Sequence, residues 1–251
     1  MHYDTSLFIY LIAFVAILIF IFGIYDLIHI WRLGKEPSLN TGLKFDNWFK
    51  HYLKSIFIQN QIKENGNMQW LMHLFIFYGF MSLFLLTTLQ FILTWLIPSE
   101  WQIVNYFKTG SGGLIMAVWG DLGGLVLLCG ILIALFRRYV LKPDNQYTIF
   151  DDAIAIWLLF GVTLSGFLCE TARLIARPDA HDAVYSFAVY LVVKAFNWIS
   201  ISELDLAFIF YLHGILSLVF IAYIPFSKLR HIFVSPANYA FVTSSDQYTK
   251  E

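Results

Sequence analysis

Two histidines, His213 and His231, stand eighteen residues apart in HGILSLVFIAYIPFSKLRH, a stretch that carries no formal charge before Lys228. At about 100° and 1.5 Å per residue, an unbroken helix of this length makes roughly five turns and rises about 27 Å, so both imidazoles would face the same way at two depths. Neutral imidazole is a metal ligand and a good axial ligand for haem iron, and an ionisable group inside an apolar span is costly enough to call for a function. A third histidine, His73, follows the start of the apolar run NMQWLMHLFIFYGFMSLFLLTTL by about one turn. Pairing His73 with His231 would ligate one haem b from two helices at one level. Gly79 then either lets a macrocycle lie against the helix or lets another helix pack closely. The competing reading of His213 and His231 is a backbone hydrogen bond or a head-group position. His2, His29 and His51 read as terminal, interfacial or exposed residues.

These residues must be held by membrane helices. The 251-residue chain is 59% hydrophobic and 19% aromatic with 13% charged, and its mean hydropathy is +0.68. A hydrocarbon core about 30 Å thick takes roughly 20 helical residues to cross. Five segments qualify: residues 6–30, 70–96, 113–136, 150–168 and 206–231. The expected fold is an all-α integral membrane protein, one five-helix bundle domain over residues 1–251, since no period-two alternation points to a barrel. The first segment has no basic flank before it and no small-residue cleavage site after it, so it is expected to remain as a span.

Basic residues set the expected orientation. The loop between spans one and two, the turn after span three and the C-terminal tail hold twelve of the sixteen Lys and Arg. Lys108, Arg173, Arg177 and Lys194 fall on the other side, which puts the N-terminus outside and the C-terminus in the cytoplasm of a cell that carries the protein in its inner, or cytoplasmic, membrane. Within the first inner loop, FDNWFKHYLKSIFI places Phe45, Trp48, Phe49, Tyr52, Leu53 and Ile56 on one helical face. An interfacial or partner-binding helix over about 44–58 is expected.

The outer half carries Asp121, Glu170 and Arg173. Glu170 and Arg173 lie one turn apart, so an ion pair that fixes helix packing competes with a carrier site in which a carboxylate moves the proton accompanying each electron. Arg177, Asp179, His181 and Asp182 read more simply as a solvated loop. Cys129 and Cys169 lie in separate apolar runs and read as two small core residues. No Cys-rich cluster pattern, glycine-rich phosphate loop or long soluble segment is present, and a net charge of −1 gives no reason to expect nucleic acid.

FIFYLHGILSLVFIAYIPFSKLRHIFVSPANY closely resembles the last span of the respiratory nitrate reductase gamma subunit, and CGILIALFRRYVLKP extends that resemblance. MHLFIFYGFMSLFLLTT and SGFLCETARL are more similar to the cytochrome b subunits of membrane heterodisulfide reductase and of related sulfite-reduction-associated complexes. The resemblance implies a dihaem cytochrome b that exchanges electrons between a lipophilic quinone or phenazine and a cytoplasmic iron–sulfur partner subunit. That partner would dock on the inner amphipathic loop and the tail around Tyr239. The nitrate reductase pattern has a second, deeper histidine in span two that pairs with the outer histidine of span five; here Met81, Ser82 and Leu83 occupy that stretch, so the second haem is expected on His213 with its sixth ligand open between none, Met81, Met116 and His181. A haem-free membrane anchor and a small-molecule transporter are the alternatives, the latter disfavoured by the lack of an inverted repeat.

Overall fold

The computed structural model describes residues 3–33, 49–50, 53, 57, 59–63, 66–108, 110–142, 150–177, 183–196, 198–232 and 234–235. Most of the expected inner helix at 44–58 lies outside the described residues, as do His2, His51, Asp179, His181, Asp182 and Tyr239. The described residues are helical, with no strand among them. The main helices are α1 (Tyr3–Leu33), α2 (Asn67–Phe91), α3 (Gln102–Lys108), α4 (Ser111–Phe136), α5 (Phe150–Ala176), α6 (Phe187–Ala195) and α7 (Glu203–Tyr223).

Five stretches are long and apolar enough to cross a membrane: Phe8–Ile30, Asn67–Leu96, Ser111–Leu141, Ala153–Ala176 and Glu203–Phe226. Large apolar side chains such as Phe8, Phe14, Phe22, Leu85, Trp95, Leu168 and Phe208 point outward from them. Helices satisfy their own backbone hydrogen bonds, so such surfaces are stable against lipid and unfavourable against water. The protein is a multi-pass membrane protein.

Helix ends follow local chemistry. After α2 a π-helical turn, Ile92–Leu96, closes at Ile97, which is extended (φ −106°, ψ 131°) because Pro98 follows it. The third span continues beyond the expected residue 136 through a π-helical turn, Arg137–Leu141, to a left-handed Lys142 (φ 41°, ψ 60°). The fourth continues beyond 168 to Ala176. The last span is shorter than the sequence periodicity predicted. Its α-helix ends at Tyr223, Pro225 opens a 3₁₀ turn over Ile224–Phe226, and Ser227 is extended (φ −98°, ψ 175°) before a second 3₁₀ turn, Lys228–Arg230. Pro225 supplies no N–H to the helical ladder and cannot continue it. Buried Ser227 secures the break, donating to Ile224 O at 3.0 Å and accepting from Leu229 N at 3.1 Å. His213 and His231 therefore do not share one helix, and neither the 27 Å rise nor the common facing direction follows from their spacing.

By the density of its contacts the chain falls into two units. The first comprises the described residues of Met1–Trp70, Thr148–Ala155 and Ser217–Glu251. Here Gly23 of α1 faces Pro225: a Cβ at Gly23 would lie 2.5 Å from Pro225 Cβ, so only glycine allows this approach. The second comprises the described residues of Leu71–Tyr147 and Ile156–Leu216. In it α2 and α4 run antiparallel in close contact. Added Cβ atoms would meet Ile76 N at 2.7 Å from Gly130, Leu127 N at 2.5 Å from Gly79, and Ser82 Oγ at 3.0 Å from Gly123. Trp119 Nε1 donates to Ser82 Oγ at 2.6 Å across the same pair. Beyond that contact Leu86, Leu93, Val104 and Met116 form a buried apolar cluster.

Candidate functional site

His213, half-buried on α7, packs against α5 where two small residues receive it. Gly166 borders the ring, and a Cβ there would lie 3.4 Å from His213 Cε1, an ordinary contact. Buried Ser165 places its Oγ 2.9 Å from His213 Nδ1. The same hydroxyl lies 3.0 Å from Val162 O, and with its proton on that carbonyl it accepts from the imidazole, which makes Nδ1–H the donor. That tautomer puts the ring's lone pair on Nε2.

His231 arrives at the same tautomer by another route. It follows the 3₁₀ turn Lys228–Arg230, and its Nδ1 contacts the carbonyl oxygen of Lys228. A carbonyl can only accept, so Nδ1 carries the proton and Nε2 the lone pair. A metal-ligating histidine characteristically donates its remote N–H to a carbonyl or comparable acceptor, fixing the ring and raising the basicity of the ligating nitrogen. Both histidines thus fit axial ligation of haem through Nε2. His73 is half-buried in the second turn of α2. His29, near the end of α1, is exposed and stacks on Tyr25 with ring centroids 6.3 Å apart.

Gly79, which the sequence leaves open between macrocycle contact and close helix packing, faces the backbone of Leu127. Its missing side chain is used for helix packing. Met116 is buried among Leu86, Leu93 and Val104 in the apolar cluster.

Asp121, Glu170 and Arg173, expected on the outer side, belong to a second constellation around the start of α6. Glu170 accepts from Arg173 at both oxygens, Nε to Oε2 at 2.9 Å and Nη2 to Oε1 at 2.7 Å. The fully buried Ser186 also donates its hydroxyl to Glu170 Oε1, at 2.7 Å. Ser186 precedes α6 but does not cap it with its side chain. Asp121 of α4 does that instead, its Oδ2 accepting from Ala188 N at 2.7 Å. An ionised carboxylate at a helix N-terminus satisfies an otherwise orphaned donor and complements the helix dipole. Sequence reasoning brought Asp121, Glu170 and Arg173 to one end of the molecule. It missed Ser165, Gly166, Ser186 and the Ala188 amide, whose roles come from contacts between helices far apart in sequence.

No group of three or more His, Cys, Asp or Glu side chains is arranged to hold a bare metal ion among the described residues. Cys129 and Cys169 are both free thiols. The architecture defines a class: multi-pass helical membrane proteins. The sequence model of the HdrE family, described as the E subunit of dihydromethanophenazine:CoB--CoM heterodisulfide reductase, matches residues 49–238, and the chain belongs to that membrane cytochrome b family. The E subunit of the dihydromethanophenazine:CoB--CoM heterodisulfide reductase of Methanosarcina barkeri is 28% identical over 249 residues, covering 88% of this chain and 86% of the relative. An EtfAB:quinone oxidoreductase of Syntrophomonas wolfei is 27% identical over 248 residues and covers 93% of this chain, which spans only 33% of that longer protein. An Hdr-like menaquinol oxidoreductase cytochrome b-like subunit of Archaeoglobus fulgidus is 27% identical over 146 residues, 56% of this chain and 41% of the relative. No solved structure matches. The relatives are named as oxidoreductases or as subunits of them, consistent with an electron-transfer role.

Proposed function

We propose that this chain is the haem b-bearing membrane subunit of a respiratory oxidoreductase complex, carrying electrons between a lipophilic quinone or phenazine and a cytoplasmic iron–sulfur partner subunit. The observation that carries the reading is that His213 and His231 each have Nδ1 held, by the Ser165 hydroxyl and the Lys228 carbonyl respectively, which leaves ligation to Nε2. Bound haem supplies one-electron chemistry that no side chain of this protein can. His73 and His231 ligate one haem near the cytoplasmic face, and His213 ligates a second whose sixth ligand is open. The names of the three relatives support the carrier, since each contains a quinone, a menaquinol or a dihydromethanophenazine.

The distribution of Lys and Arg supports an N-terminus outside and a C-terminus in the cytoplasm, within the inner membrane. On that orientation Glu170, Arg173 and Asp121 lie toward the outer side, where the carrier and its protons are exchanged. Glu170 is the proton-handling group, Arg173 holds its charge in place, and Asp121 secures α6 beside them. The chain carries electrons without performing the terminal two-electron chemistry, which belongs to the partner.

The test is carrier-linked haem reduction in membranes containing the whole complex. Glu170→Gln keeps the volume and one carbonyl acceptor but removes the proton-accepting group, so this rate should fall about 100-fold. Haem content and reduction by dithionite should stay at wild-type levels. A wild-type rate in Glu170→Gln would make the Glu170–Arg173 pair structural and move the carrier site elsewhere.

A further inference from the structure

One cavity is lined by Lys228, Arg230, His231, Val234 and Ser235. It carries two cations beside an imidazole and no acidic side chain among the residues that line it. The backbone explains the clustering. Lys228–Arg230 is a 3₁₀ turn with His231 at its C-terminal cap, and in a 3₁₀ helix residues i and i+3 eclipse, which stacks Lys228 over His231 on one face. The Lys228 carbonyl takes the His231 Nδ1 proton while the Lys228 side chain lines the same cavity. One short turn therefore orients the imidazole and gathers positive charge beside it. Ser227, capping the turn through Leu229 N at 3.1 Å, holds that arrangement in register.

We infer that Lys228 and Arg230 form a dicarboxylate cradle for the two propionates of the haem that His231 ligates. The inference rests on the haem reading above. Haem b carries two carboxylates on one edge, and withdrawing them from water beside the end of the last span is costly unless cations pair with them. Two cations next to a ligating imidazole match that number and placement. Charge-assisted bonds to carboxylate oxygens are the strong kind, and arginine can make them bidentate. Ser235, at the rim of the cavity, adds a neutral hydroxyl. The shared chemistry is recognition of paired anionic oxygens, and an anionic lipid headgroup presents the same kind of atoms. The imidazole at the cavity wall favours the propionates, because a haem delivers both the metal that histidine takes and the carboxylates that the cations take.

The experiment is a potentiometric titration of the haem α-band in membranes containing the whole complex, for wild type, Lys228→Gln, Arg230→Gln and the double variant. Each lost cation leaves a carboxylate uncompensated, which favours the more positive, oxidised state. The midpoint of one haem should shift to lower potential in each single variant and further in the double, with the low-spin spectrum retained. Lys228→Arg, which keeps the charge, should restore the wild-type midpoint and shows that the shift is electrostatic even where the double variant assembles poorly. Wild-type midpoints in both single variants would overturn the proposal. So would loss of co-purifying anionic lipid, read by native mass spectrometry, with unchanged midpoints, which assigns the cavity to a headgroup. His231→Ala separates this from the parent reading: unchanged haem content there sinks the haem assignment itself, whereas loss of haem there with unshifted midpoints in the charge variants removes only the cradle.

Discussion

At the scale of single residues, a hydroxyl and a carbonyl prepare the two imidazoles. The Ser165 hydroxyl lies between Val162 O and His213 Nδ1, and with its proton on the carbonyl it accepts from the ring. Replacing Ser165 by Ala removes that acceptor and the ring's preference for one tautomer. Groups that orient a ligating histidine in this way are worth roughly 10- to 100-fold in metal affinity. Ser165→Ala should therefore weaken haem retention at His213 by about tenfold, read as the haem-to-protein ratio through serial dilution in detergent, while Ser165→Thr keeps the hydroxyl and retains haem. Equal retention in wild type and Ser165→Ala would show that His213 does not serve as a ligand through Nε2. Histidines alone made His213 and His231 conspicuous in the sequence. Ser165 was invisible there because its contact depends on how α5 and α7 pack, 48 positions apart.

At the scale of elements, the membrane removes most of the hydrophobic drive between helices, so α2 and α4 meet through shape. The contacts run in antiparallel register, Ile76 with Gly130, Gly79 with Leu127 and Ser82 with Gly123. An added Cβ at Gly79 would lie 2.5 Å from the backbone nitrogen of Leu127, and backbone cannot swing aside as a flexible side chain can. Gly79→Ala should lower stability by about 1–3 kcal/mol. Gly161→Ala is the internal control, because no atom lies within 4 Å of its would-be Cβ. Thermal unfolding in one detergent should separate the two, and equal melting temperatures would contradict the packing. All five spans could be found in the sequence, because lipid-facing helices advertise themselves by length and apolarity, although the third and fourth run on beyond their expected ends to Leu141 and Ala176. The break in the last could not be read there. Its hydropathy runs through Pro225, and only the backbone shows that Pro225 and Ser227 divide it into an α-helix and two 3₁₀ turns. That break also explains why the eighteen-residue spacing, treated as five helical turns, overreached.

At the scale of the whole molecule, membership in the HdrE family of heterodisulfide reductase membrane subunits and the two prepared imidazoles point to a membrane conductor of electrons. The polar constellation of Asp121, Glu170, Arg173 and Ser186 was partly legible: its charged members stand out against an apolar background, whereas Ser186 and the Ala188 amide join only once α6 folds against α4 and α5. The central claim is that haem is held by histidines of this chain. The most direct measurement is the reduced-minus-oxidised absorbance spectrum, with haem quantified per protein, for membranes containing wild type, His73→Ala or His231→Ala. The wild type should show α and Soret bands of b-type haem in stoichiometric amount, and each variant should lose one low-spin haem while the protein remains inserted. A properly assembled wild type without those bands, or unchanged haem content and spectrum in both variants, would contradict it.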